Sequence, residues 1–303
     1  MLGVSSPSRS TTQNASPPPY HLPRSPPAHH RLPRPPPNLL HIKPKPQIPL
    51  LHHPSDITTA FPQPKTYALL LFRSFEILDA YGPLEILQFV SHFHSLNLLI
   101  FSRSFPSPVS TSPTLASMNP MNSSFYPSFV PTHPIPSTPQ QWEDMKETLE
   151  GIDVLLIPGG MGVRNPDLGP ELEFVRRLRD DYGLGGRDES KVLVTVCNGA
   201  AVPARAGVLR GRRVTTNKSV WGEVVTLDPE VKWVSPARWV EDGNIWTSSG
   251  VTSGLDLTLQ FVRKMYPDGV EIADLIAGAI EHEPVMDWRY DPFAEKFGVP
   301  PQN

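Results

Sequence analysis

Cys197 is the only cysteine in a chain of 303 residues, and it stands where an apolar run, Val192-Leu193-Val194-Thr195-Val196, meets a run of small residues, Asn198-Gly199-Ala200-Ala201. That junction has the form of a nucleophile elbow, in which a sharp strand-to-helix turn lifts one side chain above the sheet edge. Backbone N–H groups opening the helix then face the sulfur, where they favour a thiolate and can cradle an oxyanion. The thiol is therefore expected to titrate below the ordinary cysteine value of about 8.5. A lone free cysteine elsewhere is more often a small buried hydrophobe; here the flanking residues favour the elbow.

Other candidate chemistries carry less weight. No Cys/His pair has metal-ligand spacing, so neither metal nor cofactor is expected. Pro158-Gly159-Gly160-Met161-Gly162 lacks the glycine spacing and the Lys-Ser/Thr of a phosphate-binding loop, which argues against nucleotide binding. His282, in Glu281-His282-Glu283-Pro284, is the only histidine of the carboxyl half; with Glu283 adjacent it does not form the His-x-Glu that partners an elbow cysteine, and it reads as a surface residue. Arg164 and Arg205 are candidates for gripping a carboxylate, Arg205 more readily making a surface pair.

An elbow needs a sheet behind it. Tyr67 to Phe72, Leu96 to Phe101, Val154 to Ile157 and Lys191 to Val196 are short apolar runs that read as strands. Helices are expected at Gly82-Pro83 and onward, with proline in the first turn, then over about Glu171–Arg179, Ala200–Leu209, Ser253–Tyr266 and Ile272–Ile280. Further strands are expected near Val214 and over Val231–Val234, and Asp242-Gly243 reads as the turn of a hairpin between Arg238–Glu241 and Asn244–Thr247. Residues 104–140, rich in Ser, Pro and Asn, read as a long surface excursion. Strands alternating with helices imply an α/β fold with a mainly parallel sheet covered on both faces, whose sites form beyond the carboxyl ends of the strands. The turn after Phe72, the Pro158-Gly159-Gly160 turn and the Cys197 elbow all lie there.

Composition divides the chain. Seventeen of its 38 prolines precede residue 65, where a single acidic residue, Asp56, stands against six Lys/Arg and no apolar period appears. Residues 1–64 are accordingly read as a disordered Pro-rich extension, and 65–303 as one α/β domain. The extension has no apolar core of a secretory signal; its basic, acid-poor character leaves mitochondrial import as an alternative to a cytoplasmic location. One cysteine cannot form an internal disulfide, which fits a reducing compartment. No uninterrupted apolar run is long enough to span a membrane, and a net charge of −3 argues against strong nucleic-acid binding.

Taken in order, five segments resemble the ThiJ/PfpI superfamily of class I glutamine-amidotransferase-like proteins, and within it the isonitrile hydratase branch. They are Phe75-Glu76-Ile77-Leu78-Asp79-Ala80-Tyr81-Gly82-Pro83, Asp153-Val154-Leu155-Leu156-Ile157-Pro158-Gly159-Gly160, Val196-Cys197-Asn198-Gly199-Ala200, Arg205-Ala206-Gly207-Val208-Leu209, and Trp246 through Gly254. The resemblance covers about residues 66–280 and implies a flavodoxin-like sandwich with a cysteine nucleophile elbow. It assigns Cys197 as nucleophile and sets Asp79 against the sulfur; on residue type alone Asp79 also reads as a helix N-cap. The resemblance also implies oxyanion donors in the backbone N–H groups of Gly160 and Asn198, with Gly159, Gly250 and Trp246 lining the substrate, and a homodimer with the Gly82-Pro83 helix near its interface. Trp221, Trp233, Trp239 and Trp288 are more readily core residues than pocket walls.

Departures from the pattern matter. Isonitrile hydratases carry Thr after the cysteine and protease-like relatives carry His; this chain has Asn198. Many relatives place a His where this chain has Asn217, so no Cys-His dyad is visible and glyoxalase or deglycase chemistry loses its usual base. The expectation is thus a cysteine-dependent hydratase of isonitrile-like small molecules. The alternatives are a glyoxalase/deglycase-type enzyme or a non-catalytic oxidation-sensing binding protein. A ligand-sensing half of a transcription regulator is disfavoured, since only about 20 residues follow the last expected helix.

Overall fold

The computed structural model describes residues 63–302. The expected disorder of residues 1–64 lies, but for the last two, outside the described residues.

Seven strands form the central sheet. In chain order the elements are β1 (Thr66–Leu70), α1 (Ile77–Val90), β2 (Asn97–Ser102), β3 (Val109–Ser110), β4 (Ser128–Phe129), β5 (His133–Pro134), α2 (Pro139–Asp144), α3 (Lys146–Glu150), β6 (Val154–Ile157), α4 (Gly169–Tyr182) and β7 (Val192–Thr195). There follow α5 (Ala201–Arg205), β8 (Arg213–Val214), α6 (Trp221–Val224), β9 (Lys232–Trp233), β10 (Trp239–Asp242), β11 (Ile245–Ser248), α7 (Ser253–Met265), α8 (Gly269–Ala279) and α9 (Pro292–Lys296). The sheet order is β10-β11-β7-β6-β1-β2-β5, parallel throughout except for the antiparallel β10–β11 hairpin. Register runs straight across it, Leu69 beside Leu156, Leu156 beside Val194 and Val194 beside Trp246.

Strand order places the site. β1 lies between β2 and β6, so the chain leaves β1 in one direction and later continues in the other. Right-handed crossovers then put the early helix on one face and the middle helices on the opposite face. Accordingly α1 packs with α7 and α8, while α3, α4 and α5 form the other layer. Because both faces are covered, β1, β6 and β7 are continuous apolar runs instead of alternating ones. The crevice at the reversal, past the carboxyl ends of β1 and β6 and beside β7, is where such sheets bind ligands.

Several expectations are corrected. α1 opens at Ile77, not at Gly82-Pro83, so Pro83 sits inside the helix. The helix can begin early because the turn before it is clamped to the next strand: Glu76 N–H donates to Gly159 O at 2.9 Å, and Phe75 bridges Gly160. The helix expected over 200–209 is a 3-10 turn at Cys197–Ala200 followed by the five residues of α5, beyond which Gly207 turns the chain at φ +72°. β8 and β9 pair with each other outside the main sheet. The 104–140 segment is no plain excursion: β3 and β4 make a ribbon, and β5 extends the sheet. Ser74 N–H donates to Ser110 O at 3.0 Å and Phe129 stacks on Phe75 and Tyr81, which pins the ribbon beside the β1–α1 turn.

Candidate active site

Cys197 has φ +62°, a left-handed conformation that a side-chain-bearing residue holds only when its surroundings impose it. Its own backbone is gripped on both sides, N–H to Ser249 O at 2.9 Å and C=O from Thr216 Oγ1 at 3.1 Å. The preceding Val196 N–H reaches Ile157 O at 3.1 Å, which carries the sheet one step past β7. The elbow is thus held between β6 and the 247–254 loop.

Asn217 donates to the sulfur, Nδ2 to Sγ at 2.9 Å. Its orientation is settled by its other end, because Oδ1 accepts from Ser219 N–H at 2.8 Å and only an oxygen can do so. Asn217 therefore offers the sulfur a donor and takes no proton.

Asp79 lies in the first turn of α1, whose N-cap is Glu76, so the N-cap reading of Asp79 is wrong. Its carboxylate turns inward, Oδ2 accepting from Gly159 N–H at 3.0 Å, while Oδ1 is buried without a hydrogen-bond partner. Burial is the main reason its pKa rises from 3.8 to about 7; the Gly159 bond opposes the rise and the Glu76 charge adds to it. The neighbouring Cys197 thiol also holds it down, as the smallest of these effects.

The expected depression of the Cys197 pKa is overturned. Burial and the neighbouring Asp79 charge push the thiol up to about 12, outweighing the hydrogen bonds from Asn217 and from the backbone N–H groups of Asn198 and Val251. Near neutral pH the resting pair is a thiol beside a carboxyl group close to half-ionisation.

Gly159 lies against Asn198 and Asp79 and Gly160 against the Ser74–Glu76 turn, and neither position tolerates a side chain. A Cβ on Gly159 would lie 2.2 Å from Asn198 Oδ1 and 2.8 Å from Asp79 Oδ2, and Gly160 has φ +119°. Asn198 crosses this gap: its Oδ1 accepts from Gly160 N–H at 2.7 Å and its Nδ2 donates to Gly160 O at 3.1 Å. The Gly160 donor expected for an oxyanion is thereby already taken. Gly250 packs against the Asn217 amide.

Trp246 is not part of this group. It is a core residue, stacked edge-to-face on Phe261, with its indole N–H on Gly243 O at the start of β11, the end away from the elbow. Arg164 pairs with Glu223, and Arg205 donates to Val163 O and Asn165 O, holding the loop after Gly160. His282 is not a free surface histidine: its Nε2 lies 2.8 Å from buried Asp256, which also pairs with Arg238.

Two supports were invisible as motifs. Lys218 is fully buried under the elbow loops, donating to Thr216 O at 3.0 Å and Ser249 Oγ at 3.2 Å and paired with Asp291 Oδ2 at 2.9 Å. A lysine one residue from Asn217 gave no sequence signal, because its acid lies more than seventy positions away. Asn217-Lys218-Ser219 does have the form of an Asx turn, the one local hint that residue 217 is rigidly held.

Fold and site together define a flavodoxin-like α/β domain with a cysteine nucleophile elbow and an opposed carboxyl group. Comparison with known proteins bears on that class: a model of the DJ-1/PfpI family matches residues 137–264 of this chain. An isonitrile hydratase of Pseudomonas putida is 33% identical over 134 residues, 44% of this chain and 53% of the relative. A deglycase of Pyrococcus horikoshii is 31% identical over 106 residues, 35% of this chain and 57% of the relative. This chain thus spans about half the length of the curated relatives it matches. A solved THiJ/PfpI family protein from Pseudomonas syringae superimposes with a TM-score of 0.54 at 22% identity, covering 81% of this chain and 85% of that one, a likeness of fold. Asp79 lies before the family match, so its pairing with Cys197 is a matter of geometry in this chain.

Proposed function

We propose that the protein is a cysteine-dependent hydratase of isonitrile-like small molecules. The observation that carries this reading is the Cys197–Asp79 pair, a protonated thiol against a carboxyl group that titrates near neutrality, with an amide in place of a base at Asn217. An isonitrile, R–N≡C, asks for a nucleophile and a proton at one carbon. Sulfur bonds to the terminal carbon and the thiol proton, relayed by Asp79, ends on the same carbon, leaving R–N=CH–S–Cys197. Asp79 carboxylate then takes a proton from water as the water oxygen bonds to that carbon. The nitrogen receives that proton, giving R–NH–CH(OH)–S–Cys197; the C–S bond then breaks as the C=O bond forms, the hydroxyl proton passes through Asp79 to the sulfur, and R–NH–CHO leaves. These steps call on no metal or cofactor.

The similarity to a deglycase keeps a second reading, chemistry at an aldehyde carbon, for which Asn217 supplies no base. Oxidation sensing is the weaker alternative, since a buried thiol pushed up to about 12 is a poor target for oxidants. A homodimer through the α1 and β2 surface belongs to the same proposal. Turnover of an alkyl isonitrile beside methylglyoxal tests the reaction class. The expectation is formamide release by the wild-type protein, abolished by Cys197→Ser and nearly so by Asp79→Asn, because groups acting as a unit fail together. Methylglyoxal turnover without isonitrile turnover would overturn it.

A further inference from the structure

We infer that the Asn198 side chain sets electrophile specificity by masking the Gly160 N–H, leaving a site that acts on a carbon bearing no oxygen and is poor at one that develops an oxyanion. The inference rests on reading Cys197 as the nucleophile, and not on which isonitrile is used.

Geometry carries it. A carbonyl electrophile needs donors placed where its oxygen becomes negative, and one such donor is worth about 10²–10³ in rate. Of the two backbone donors that the resemblance implies for an oxyanion, Gly160 N–H is held by Asn198 Oδ1 at 2.7 Å. The return bond from Nδ2 to Gly160 O at 3.1 Å closes a two-bond ring that fixes the amide's orientation, since neither bond survives a flip. Asn198 itself is buried, at 5% exposure, which holds its amide in place. The absence of a side chain at Gly159 gives this amide its room, because a Cβ there would meet Asn198 Oδ1 at 2.2 Å. Backbone N–H groups of Asn198 and Val251 remain, and both act on Sγ. The attack of sulfur on an isonitrile loses nothing by the mask, since its reacting carbon carries nitrogen and no oxygen until water adds.

Two reagents that differ only in this respect test the claim. p-Nitrophenyl acetate acylates Cys197 through an oxyanion: the C–S bond forms, the ester C–O bond breaks, nitrophenolate leaves and the thiol proton passes to Asp79 carboxylate. Iodoacetamide alkylates the same sulfur by displacing iodide, with no charge gathering on an oxygen. The ratio of acylation to alkylation rates, followed by intact mass, therefore reports the oxyanion donors and cancels changes in access or thiol pKa. Asn198→Ala and Asn198→Ser are expected to raise this ratio tenfold or more over wild type. A ratio within threefold of wild type in a folded variant overturns the mask. Should both variants fail to fold, hydrogen exchange of the Gly160 amide in the wild-type chain decides: protection of tenfold or more is expected, and exchange at the open-chain rate overturns the proposal. Failure of Cys197 to react with either reagent overturns the nucleophile reading itself, a distinct outcome.

Discussion

A thiol and a carboxyl group that perturb each other make the first prediction one of titration. Asp79 and burial hold the Cys197 thiol near 12, so its alkylation rate should keep rising past pH 9 instead of levelling below 8.5. Asp79→Asn removes the repelling charge and should move the midpoint down, as stopped-time alkylation from pH 5 to 10 would show. A wild-type plateau below 8.5 would contradict this account of the site. The same pair predicts a stability slope. Asp79 titrates higher in the folded chain than unfolded, so its contribution is fully present below pH 4 and is lost as pH rises through about 7. From the rise of 3.8 to about 7, at about 1.4 kcal/mol per unit, the loss is of order 4 kcal/mol. Urea unfolding of wild type and Asp79→Asn at pH 4 and pH 8 should show the variant gaining relative to wild type at the higher pH.

Among the elements, the carboxyl-terminal segment works as a brace. α9 is capped by Asp291, which also accepts from Ser249 Oγ at 3.2 Å and pairs with Lys218, so one buried carboxylate ties the last helix to both loops that grip the elbow. Breaking a buried pair leaves an uncompensated charge and costs roughly 3–5 kcal/mol. Asp291→Ala should lose about that much by chemical denaturation, whereas Asp291→Asn, which retains an acceptor for Ser249, should lose less. Equal losses would mean the charge plays no part.

For the whole molecule, the outer surface of α1 and β2 is the outstanding feature. Among the described residues β5 pairs only with Phe101 and Ser102 and leaves the start of β2 as an open edge, beside a groove lined by Tyr81, Leu84, Leu87, Leu96 and Leu98. Open edges and exposed apolar side chains invite a partner, and Leu98 is 43% exposed. Sedimentation of the full chain at micromolar concentration is expected to show a dimer, and Leu98→Glu a monomer; a wild-type monomer would reject this. Pro64 O accepts from Tyr266 OH at 3.1 Å and Lys65 N–H donates to Asp153 at 2.8 Å, which ties the start of β1 to the domain without residues 1–60. Deleting residues 1–60 should therefore change Tm by less than about 4 °C, and a larger fall would reveal a docked segment.

Neighbours along the chain settle part of this fold without help from the rest of it. Apolar runs of four to six residues marked β1, β2, β6 and β7, Asp242-Gly243 marked the β10–β11 turn, and small residues around Cys197 marked the elbow, because each depends on local backbone preference and period. The length of the helix after the elbow and the start of α1 were misjudged from the same signals, since Gly207 and the Glu76–Gly159 clamp act through turns and tertiary hydrogen bonds. Only the folded chain decided the chemistry. Local reasoning expected N–H groups to lower the Cys197 pKa; burial and Asp79 raise it, and both arise from segments distant in sequence. Trp246 became core, His282 became the partner of Asp256, and the Asn198 side chain took the Gly160 donor. Desolvation and hydrogen-bond competition depend on which groups fill the surrounding volume, and that is a property of packing that no spacing of residues encodes.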